Sequence, residues 1–433
     1  MNKKCFDTSF NILQWFVFLL ANAIALPIII GGIFHLPIED VSTLMQRTFL
    51  VVGVSSFLQA WFGHRYPIAD GPAGSWVSIF VILGQIAMHQ GQIAMHQGQS
   101  AKDVLQLLEG GLIIAGILLF ILGITGLIHR ILRLFTPLVT GTFLLILALQ
   151  LSGVLLKGMI GLQGSATHPD YTTATIALFI FALITFLSIK GKGWMKSYAV
   201  LLGISCGWLL YAVLGKSSHI PSHTTLVKLP EIFAWGTPRF DIGMTLTATL
   251  FTFLLVANTI AAISAVKQVA PLSKENEKQT LNRGVWVGGI SHIISSLFSI
   301  IGIVPLPASA GFIQLTGQRK VKSFLIASLI LAGISFIPSI VNFISLLPGP
   351  IANAALLATF VQVIGISFQS ILREAVNQRR LTILGISLLI SLGILFLPES
   401  AFSGIPSSLQ YVLSNGLLVG TMLVILLEQF WKE

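Results

Sequence analysis

Long apolar runs, separated by short polar or glycine-rich connections, follow one another along almost the whole chain. A helix needs about 20 apolar residues to cross the hydrocarbon core of a bilayer. On that length, the pattern predicts an all-α polytopic membrane protein with fourteen spans, two of which are short and interrupted by Pro and Gly. The spans are expected at 9–34, 42–61, 69–88, 110–128, 136–156, 172–189, 194–214, 243–266, 285–301, 305–317, 323–343, 348–371, 381–397 and 409–428.

Composition excludes the other classes of protein. The chain has 433 residues, of which 55% are hydrophobic and 9% charged, whereas about 25% of an ordinary soluble domain is charged. The two cysteines, Cys5 and Cys206, lie in the amino-terminal tail and inside an apolar run, so neither a disulfide framework nor a cysteine metal site is predicted. No nucleotide-binding loop or metalloprotease motif occurs, and we expect no enzyme activity and no cofactor.

The net charge of +10 is explained by membrane topology rather than by a nucleic-acid partner. If the amino terminus is cytoplasmic, 19 of the 25 Lys and Arg residues fall on the inside, and a broken tenth span is needed to keep Arg319, Lys320 and Lys322 there. Such an asymmetry follows the positive-inside rule, so it predicts a multi-pass protein of the cell (inner) membrane with both termini in the cytoplasm. The six basic residues left outside are Arg47, Lys102, Lys157, Lys216, Lys228 and Arg239.

A heptapeptide, QIAMHQG, occurs twice in tandem, at 85–91 and 92–98, in a predicted outside loop. Its His89 and His96 could in principle bind a metal ion. An insertion by replication slippage in a tolerant loop explains the repeat more simply. We therefore predict no metal site.

Two short segments, Gly71-Pro-Ala-Gly-Ser75 and Leu306-Pro-Ala-Ser-Ala-Gly311, occupy the third position in two successive sets of seven spans. Proline lacks a backbone N–H and glycine permits unusual torsions, so each segment leaves backbone groups unpaired at membrane depth. A half-helix after such a segment directs free N–H groups and a positive helix end towards the bilayer centre. Matching interrupted spans in two halves indicate the central site of a transporter, although a packing kink is the alternative for either segment alone.

Four stretches of sequence resemble one known family. They are Gln14-Trp15 followed by Pro27, Gln59-Ala-Trp-Phe-Gly-His-Arg-Tyr-Pro-Ile68, Phe135-Thr-Pro-Leu-Val-Thr-Gly-Thr142, and Leu347-Pro348. They make the chain similar, from about 14 to 428, to the nucleobase-ascorbate transporter family, which contains bacterial uracil and xanthine permeases. The resemblance implies a seven-plus-seven inverted repeat with short extended segments in spans 3 and 10. It also implies a core domain formed by 9–134 and 241–343 and a gate domain formed by 135–216 and 346–431.

The family's signature in span 10 is Gln or Glu followed by Asn-x-Gly-x-x-x-x-Thr, and it aligns with Ala308 to Thr316. Gly311 and Thr316 match the signature. Ala308, however, replaces the leading amide or acid, and Ser309 replaces the Asn. The resemblance therefore implies the scaffold of the family with an altered binding site.

Other positions of that site also depart from the family. Asn258 stands where span 8 usually has Glu, and Asn22 where span 1 usually has a small residue. Gly74 takes the usual aromatic position of span 3, with Trp76 two residues later on the same side of a strand. The substrate-binding residues that the resemblance implies are Asn22, Gly74, Trp76, Asn258, Ala308, Ser309, Gly311 and Thr316.

Ionisable groups are scarce within the predicted spans. None of the fifteen carboxylates falls in mid-span, only Asp70 lies near the presumed site, and His292 is the single histidine inside a span. We treat both as candidates for ion coupling, because ionisable residues inside a membrane usually have a function. The alternatives are a turn-stabilising role for Asp70, a neutral hydrogen-bonded imidazole for His292, and interhelical packing for Asn22 and Asn258.

The expected function is that of a secondary active carrier for a nucleobase such as xanthine, urate or uracil, coupled to a proton or a sodium ion. The core domain is expected to move against the gate domain to give alternating access. A carrier of a small organic or inorganic anion and a non-transporting relative that acts as a sensor remain alternatives, because the usual acidic site residues are absent. The expected partners are the small-molecule substrate and the lipid bilayer, with a homodimer through the gate domain as a further hypothesis.

Overall fold

A computed structural model describes most of the chain. The described residues are 3–77, 79–80, 101–128, 130, 133–162, 168–214, 226–271, 276–402 and 405–431. The repeated heptapeptide with His89 and His96 lies outside them.

The first half contains two long helices, a short strand and then four helices and one short turn of helix. These elements are α1 (Lys3–Ile33), α2 (Ile38–Trp61), β1 (Asp70–Pro72), α3 (Ala101–Thr125), α4 (Pro137–Met159), α5 (Tyr171–Lys190), α6 (Trp194–Ser197) and α7 (Ala199–Val213). Residues 74–77 and 79–80, which follow β1, are also helical.

The second half repeats this order of elements. It consists of α8 (Ile242–Val269), α9 (Glu277–Leu297), β2 (Ile303–Pro305), α10 (Ala308–Thr316), α11 (Val321–Ile334), α12 (Pro338–Ser345), α13 (Gly349–Ile371), α14 (Gln378–Leu395), a 3₁₀ turn (Glu399–Phe402), α15 (Ser407–Leu413) and α16 (Gly416–Phe430). The predicted class is confirmed: the protein is helical and multi-pass, with one short extended segment, β1 or β2, in each half of the chain.

Eight of the described helices are long and apolar enough to cross a membrane, or nine if α11 and α12 form one span bent by 90°. α7 and α16 are apolar but shorter. The count of fourteen spans therefore stays a prediction. One boundary differs in a way that matters for chemistry, because α3 begins at Ala101, whereas the predicted span began at Gly110. The prediction that no carboxylate falls in mid-span is wrong for Glu109, which is the ninth of the 25 residues of α3 and is fully buried.

Helix ends follow from local sequence. The Phe-Thr-Pro stretch is the start of α4, where Thr136 Oγ1 accepts a hydrogen bond from Val139 N at 3.3 Å and Pro137 occupies the first helical position. Proline is suited to that position because the first N–H of a helix has no intrahelical partner. α13 differs slightly, because Pro348 is its N-cap residue and Pro350 lies in its first turn.

Small residues allow the long helices to pack closely. A Cβ on Gly116 of α3 would lie 2.8 Å from Gly289 O of α9, and a Cβ on Gly53 of α2 would lie 2.5 Å from Ser328 O of α11. α4 and α13 approach in the same way, because Ser367 Oγ donates to Gly141 O at 2.8 Å. Such contacts are typical of helix packing in membranes, where van der Waals contact and interhelical hydrogen bonds hold the helices together.

Candidate functional site

The two strands cross at the centre of the fold and pair antiparallel. Asp70 lies opposite Pro305, Gly71 opposite Val304, and Pro72 opposite Ile303. Two more backbone hydrogen bonds extend the pairing, from Ala73 N to Gly302 O and from Leu306 N to Ala69 O, both 2.9 Å long. The strands therefore satisfy each other's backbone groups at membrane depth, and each leads directly into a helix.

One face of α10 is open. Ala308, Gly311 and Gln314 are exposed, and a Cβ built on Gly311 meets nothing within 4 Å. The i, i+3 spacing of these residues places them on one side of the helix. The N–H groups of Ser309 and Ala310 bond to Leu306 O and Pro307 O, so they are not free as the sequence suggested. What α10 offers a solute is an open face and a positive helix end.

The other signature residues of α10 have structural contacts. Ser309 is buried, and its Oγ accepts a hydrogen bond from Ala69 N at 3.0 Å. Thr316 Oγ1 donates to Phe312 O at 2.7 Å in its own helix, which then ends at Gly317 with a left-handed φ of 71°. Both therefore position α10 relative to the first strand and the following loop.

Asn258 lies beside the crossing and is half-buried. Its Nδ2 donates to Pro305 O at 3.1 Å, which ties α8 to the end of β2. A carboxamide has a second donor hydrogen and an acceptor oxygen. Asn22, also half-buried, instead donates from Nδ2 to Phe18 O of its own helix at 2.7 Å. Asn258 is thus bonded to another element of the site, whereas Asn22 is bonded within its own helix.

Trp76 and His292 form a buried pair behind the strands. Trp76 Nε1 donates to His292 Nε2 at 3.1 Å, and His292 Nδ1 lies 2.9 Å from Gly288 O. Because the indole N–H can only donate and the carbonyl can only accept, these contacts require a neutral imidazole with its hydrogen on Nδ1. Both side chains are buried, and the Trp76 ring packs edge-on against Phe251. The pair fits the alternative of a neutral, hydrogen-bonded imidazole for His292. A role of Trp76 in binding and of His292 in coupling stays a prediction.

An aromatic residue of α13 lies beside Gly74, the position where the family usually has an aromatic residue. A Cβ on Gly74 would meet a single neighbour, Phe360 Cζ of α13, at 3.4 Å. Sequence reasoning missed Phe360, because nothing along α13 distinguishes it from the other 28 phenylalanines. It also missed Gln314, which the helical spacing from Gly311 could have indicated.

Asp70 is the buried carboxyl of the crossing, with 1% of its surface exposed. Its Oδ2 is hydrogen-bonded to Ser55 Oγ of α2, and Ser55 Oγ lies 2.6 Å from Ser291 Oγ of α9. The backbone N–H of Asp70 donates to Ser56 Oγ at 3.0 Å. This carboxyl therefore joins β1 to two helices that are far apart in the sequence.

A second buried polar cluster lies where α2, α3 and α9 meet the loop before α8. Arg47 Nη1 donates to Phe298 O and Ser299 O, both at 3.2 Å, and its guanidinium lies 5.9 Å from the ring of Trp235. Ser299 Oγ is hydrogen-bonded to Glu109 Oε1. Such charges are costly to bury singly. These contacts hold the ends of the helices together, and Ser299 lies four residues before the start of β2.

The chain is similar to known proteins both in sequence and in fold. A family model named Xan_ur_permease and described as "Permease family" matches residues 6–400. The chain belongs to this family of permeases. The resemblance to nucleobase-ascorbate transporters that its sequence indicated is therefore confirmed, and the protein is an integral, multi-pass membrane permease.

The permease is similar to several curated proteins over nearly its whole length. YwdJ of Bacillus subtilis, whose name describes it as a candidate purine permease, is 33% identical over 97% of this chain and 96% of its own. The xanthine permease of the same organism is 24% identical over 96% and 92%. The uric acid transporter UacT of Escherichia coli is 24% identical over 97% and 85%.

Solved structures share the fold of the permease at lower sequence identity. The transmembrane domain of the cyanobacterial bicarbonate transporter BicA superposes with a TM-score of 0.63 at 16% identity, over 95% of this chain and 96% of that domain. SLC26A9 gives a TM-score of 0.63 at 14% identity, over 97% of this chain and 65% of its own. These likenesses concern the fold alone.

Proposed function

We propose that this permease is a secondary active carrier of a nucleobase, with xanthine, urate and uracil as candidate substrates. The observation that carries the proposal is the open face of α10, where Ala308, Gly311 and Gln314 are exposed next to the strand crossing. The names of the relatives, which specify purine, xanthine and uric acid, supply the chemical class.

A planar nucleobase suits the groups that surround this face. Its edge carries alternating donors and acceptors, which the remaining hydrogen and the oxygen of Asn258 can meet together with the Gln314 amide. Its flat face can pack on Gly311, where no side chain intervenes, and Phe360 supplies an aromatic ring near Gly74. The neutral Asn258, in place of the family's Glu, also accepts an anionic base without charge repulsion.

Movement of a core domain against a gate domain gives alternating access. Residues 9–134 and 241–343 form the core, and 135–216 and 346–431 form the gate. The backbone approaches at Gly116, Gly53 and Gly141 each join helices of the same domain. The site is then bounded by α10 and Asn258 on the core and by Phe360 on the gate, so that relative movement opens it to either side.

Transport is coupled to an ion, and the permease lies in the cell (inner) membrane with both termini in the cytoplasm. Asp70 is the stronger coupling candidate, because His292 is already held in its neutral form by Trp76 and Gly288. A homodimer through the gate domain completes the proposal.

The test uses purified permease. We expect xanthine, urate or uracil to raise its thermal stability, because a ligand that binds only the folded state stabilises it by about 2.7 kcal/mol at 100 times Kd. Reconstituted vesicles preloaded with the same base should take up labelled base by counterflow. Stabilisation by bicarbonate or sulfate alone would favour the small-anion alternative, and binding without counterflow would favour a sensor.

A further inference from the structure

The Asp70 carboxyl is one end of a continuous series of buried hydrogen-bond contacts. Three oxygen contacts follow one another from this carboxyl: Asp70 Oδ2 to Ser55 Oγ, Ser55 Oγ to Ser291 Oγ at 2.6 Å, and Ser291 Oγ to Val287 O at 3.1 Å. Every oxygen in this chain of contacts belongs to a buried residue, and each contact needs one hydrogen. A serine hydroxyl can donate only one.

The direction of the chain follows from its far end. A carbonyl oxygen only accepts, so the contact with Val287 O uses the hydrogen of Ser291. The contact between the two serines must then use the hydrogen of Ser55. No hydroxyl hydrogen remains for the contact between Ser55 and Asp70, and the hydrogen there must be on the carboxyl. All three contacts can therefore be hydrogen bonds at the same time only when Asp70 is protonated.

Loss of that proton reverses the chain. An ionised Asp70 can only accept, so Ser55 turns its hydrogen to the carboxylate, and Ser291 turns its hydrogen from Val287 O to Ser55. The other carboxyl oxygen, Oδ1, is buried and has no hydrogen-bond partner among the described residues. An unpartnered oxygen costs more free energy on a buried carboxylate than on a neutral acid, which favours the protonated form. The ionised form still accepts a hydrogen bond from Ser55, so each protonation state has its own set of hydrogen bonds.

The carboxyl stands next to the proposed solute site. Asp70 pairs with Pro305 in the strand register, and Pro305 O accepts the hydrogen bond from Asn258. One pair of strand residues therefore separates the carboxyl from the amide that faces the solute. A change of bonding at Asp70 can reach Asn258 through the position of β1 against β2.

Other titratable groups near this region are already engaged or lie at element ends. His64 Nδ1 accepts from Tyr66 N at 3.1 Å, and His292 is bonded to Trp76 and Gly288. From Thr8 to Ile33, α1 carries no charged residue, and neither does β2. The charged residues of α2, α9 and the loop before β1 are Glu39, Asp40, Arg47, Arg65, Glu277, Lys278 and Arg283.

We infer that Asp70 is the proton-binding site of the permease and that its protonation sets the direction of the hydrogen-bond chain through Ser55 and Ser291. The inference rests on the proposed function as a coupled carrier and names its coupling ion. A proton bound from the outside converts the carboxylate to the acid, travels with the solute, and leaves to the cytoplasm when the carboxyl ionises again.

The test separates solute exchange from gradient-driven accumulation in vesicles of purified permease. With one proton per solute, a gradient of one pH unit, acid outside, should let the natural protein accumulate labelled xanthine about tenfold. Asp70→Asn keeps the shape of the side chain but cannot ionise. This variant should retain counterflow, but the concentration of labelled xanthine inside should only equal the concentration outside. Glu109→Gln, a buried carboxyl of the other cluster, should accumulate as the natural protein does. Unchanged accumulation in Asp70→Asn, or accumulation driven by a sodium gradient instead of pH, would overturn the inference.

Infrared difference spectra after a pH step give a second readout, independent of transport and of the stability of the Asp70 variant. The natural protein should show the band of a buried carboxylic acid, and Ser55→Ala and Ser291→Ala should shift it. Ser295→Ala is the matched control, because its hydroxyl donates to Ser291 O within the helix at 2.7 Å and lies outside the chain of contacts. An unshifted band in Ser55→Ala contradicts the inference. Absence of counterflow in the natural protein contradicts only the proposed function, since the band still decides the proton site.

Discussion

The two crossing segments occupy matching places in the two halves of the chain but do different things. The first is filled: Asp70 is buried among serines, and Trp76 occupies the space against Gly302, where a Cβ would lie 2.4 Å from the indole nitrogen. The second is open, since Gly311 has no neighbour within 4 Å of a Cβ. The same backbone motif thus anchors one half and leaves an exposed helix face in the other.

The two segments also differ in the chemical groups that they carry. The first segment holds an ionisable group and no open face, whereas the second has an open face and no ionisable group between Ile303 and Thr316. Asn258 bridges them by bonding to the residue opposite Asp70. If the proton binds in one half, as we infer, and the solute in the other, as we propose, the substrate can vary without disturbing the coupling site.

The largest effect should come from filling the open segment. Gly311→Val places a branched side chain on the face of α10, in the space proposed for the solute. We expect binding of xanthine to weaken by about 5- to 150-fold, since overpacking of this kind costs about 1–3 kcal/mol. Equilibrium binding of labelled xanthine to the purified protein measures this loss of affinity. Gly333→Val in α11 is the matched control, because Gly333 is also exposed and has no neighbour within 4 Å. Equal loss in both variants would mean that the open face is not the site.

A charge at the bridging position should have the next largest effect. Asn258→Glu puts a carboxylate beside the site, where like charges repel in a medium of reduced dielectric constant. At neutral pH we expect affinity for anionic urate to fall about tenfold, and affinity for uracil, which ionises only in alkali, to change much less. Competition binding with both bases measures the ratio. An unchanged ratio of urate to uracil affinity would show that position 258 does not face the solute.

The sequence predicted the class of protein and the position of the crossing because both depend on local signals. Apolar runs set the helices, and Pro and Gly at 71–75 and 306–311 interrupt them wherever the rest of the chain lies. Gly311 and Asn258 were identified because a family motif places them. These are properties that a short stretch of residues carries by itself.

The remaining features depend on contacts between distant parts of the chain. Ser55 and Ser291 are 236 positions apart, and neither serine differs in its local pattern from the other buried serines of its helix. Phe360 approaches Gly74 only because α13 packs against the core elements. The start of α3 was misplaced because polar residues from Ala101 to Glu109 hide a helix that buries Glu109 against Ser299.

A smaller effect is expected where the first segment meets α13. Phe360→Ala removes the ring near Gly74 and should weaken xanthine binding by about 0.5–1.5 kcal/mol, the usual contribution of an aromatic contact. Gly74→Phe alone should also weaken binding, because a Cβ at position 74 would lie only 3.4 Å from Phe360 Cζ and leaves little room for a second ring. The double variant should recover affinity, since it places the aromatic ring at position 74 instead of position 360. The double-mutant cycle measures this coupling, and additive losses would show that the two positions do not share one aromatic site.

The smallest effect on transport should come from the pair that fills the first segment. His292→Gln keeps an acceptor for Trp76 Nε1 and a donor for Gly288 O, the two roles of the neutral imidazole. We expect counterflow and pH-driven accumulation to change less than about twofold, because the pair supports the fold without carrying a proton. His292→Leu leaves the buried indole N–H unpaired and should lower the free energy of unfolding by about 1–3 kcal/mol. Thermal denaturation of both variants in the same detergent, beside accumulation in vesicles, separates stability from coupling. If His292→Gln folds normally but loses accumulation, His292 carries the proton, and the first segment would couple through its imidazole rather than through Asp70.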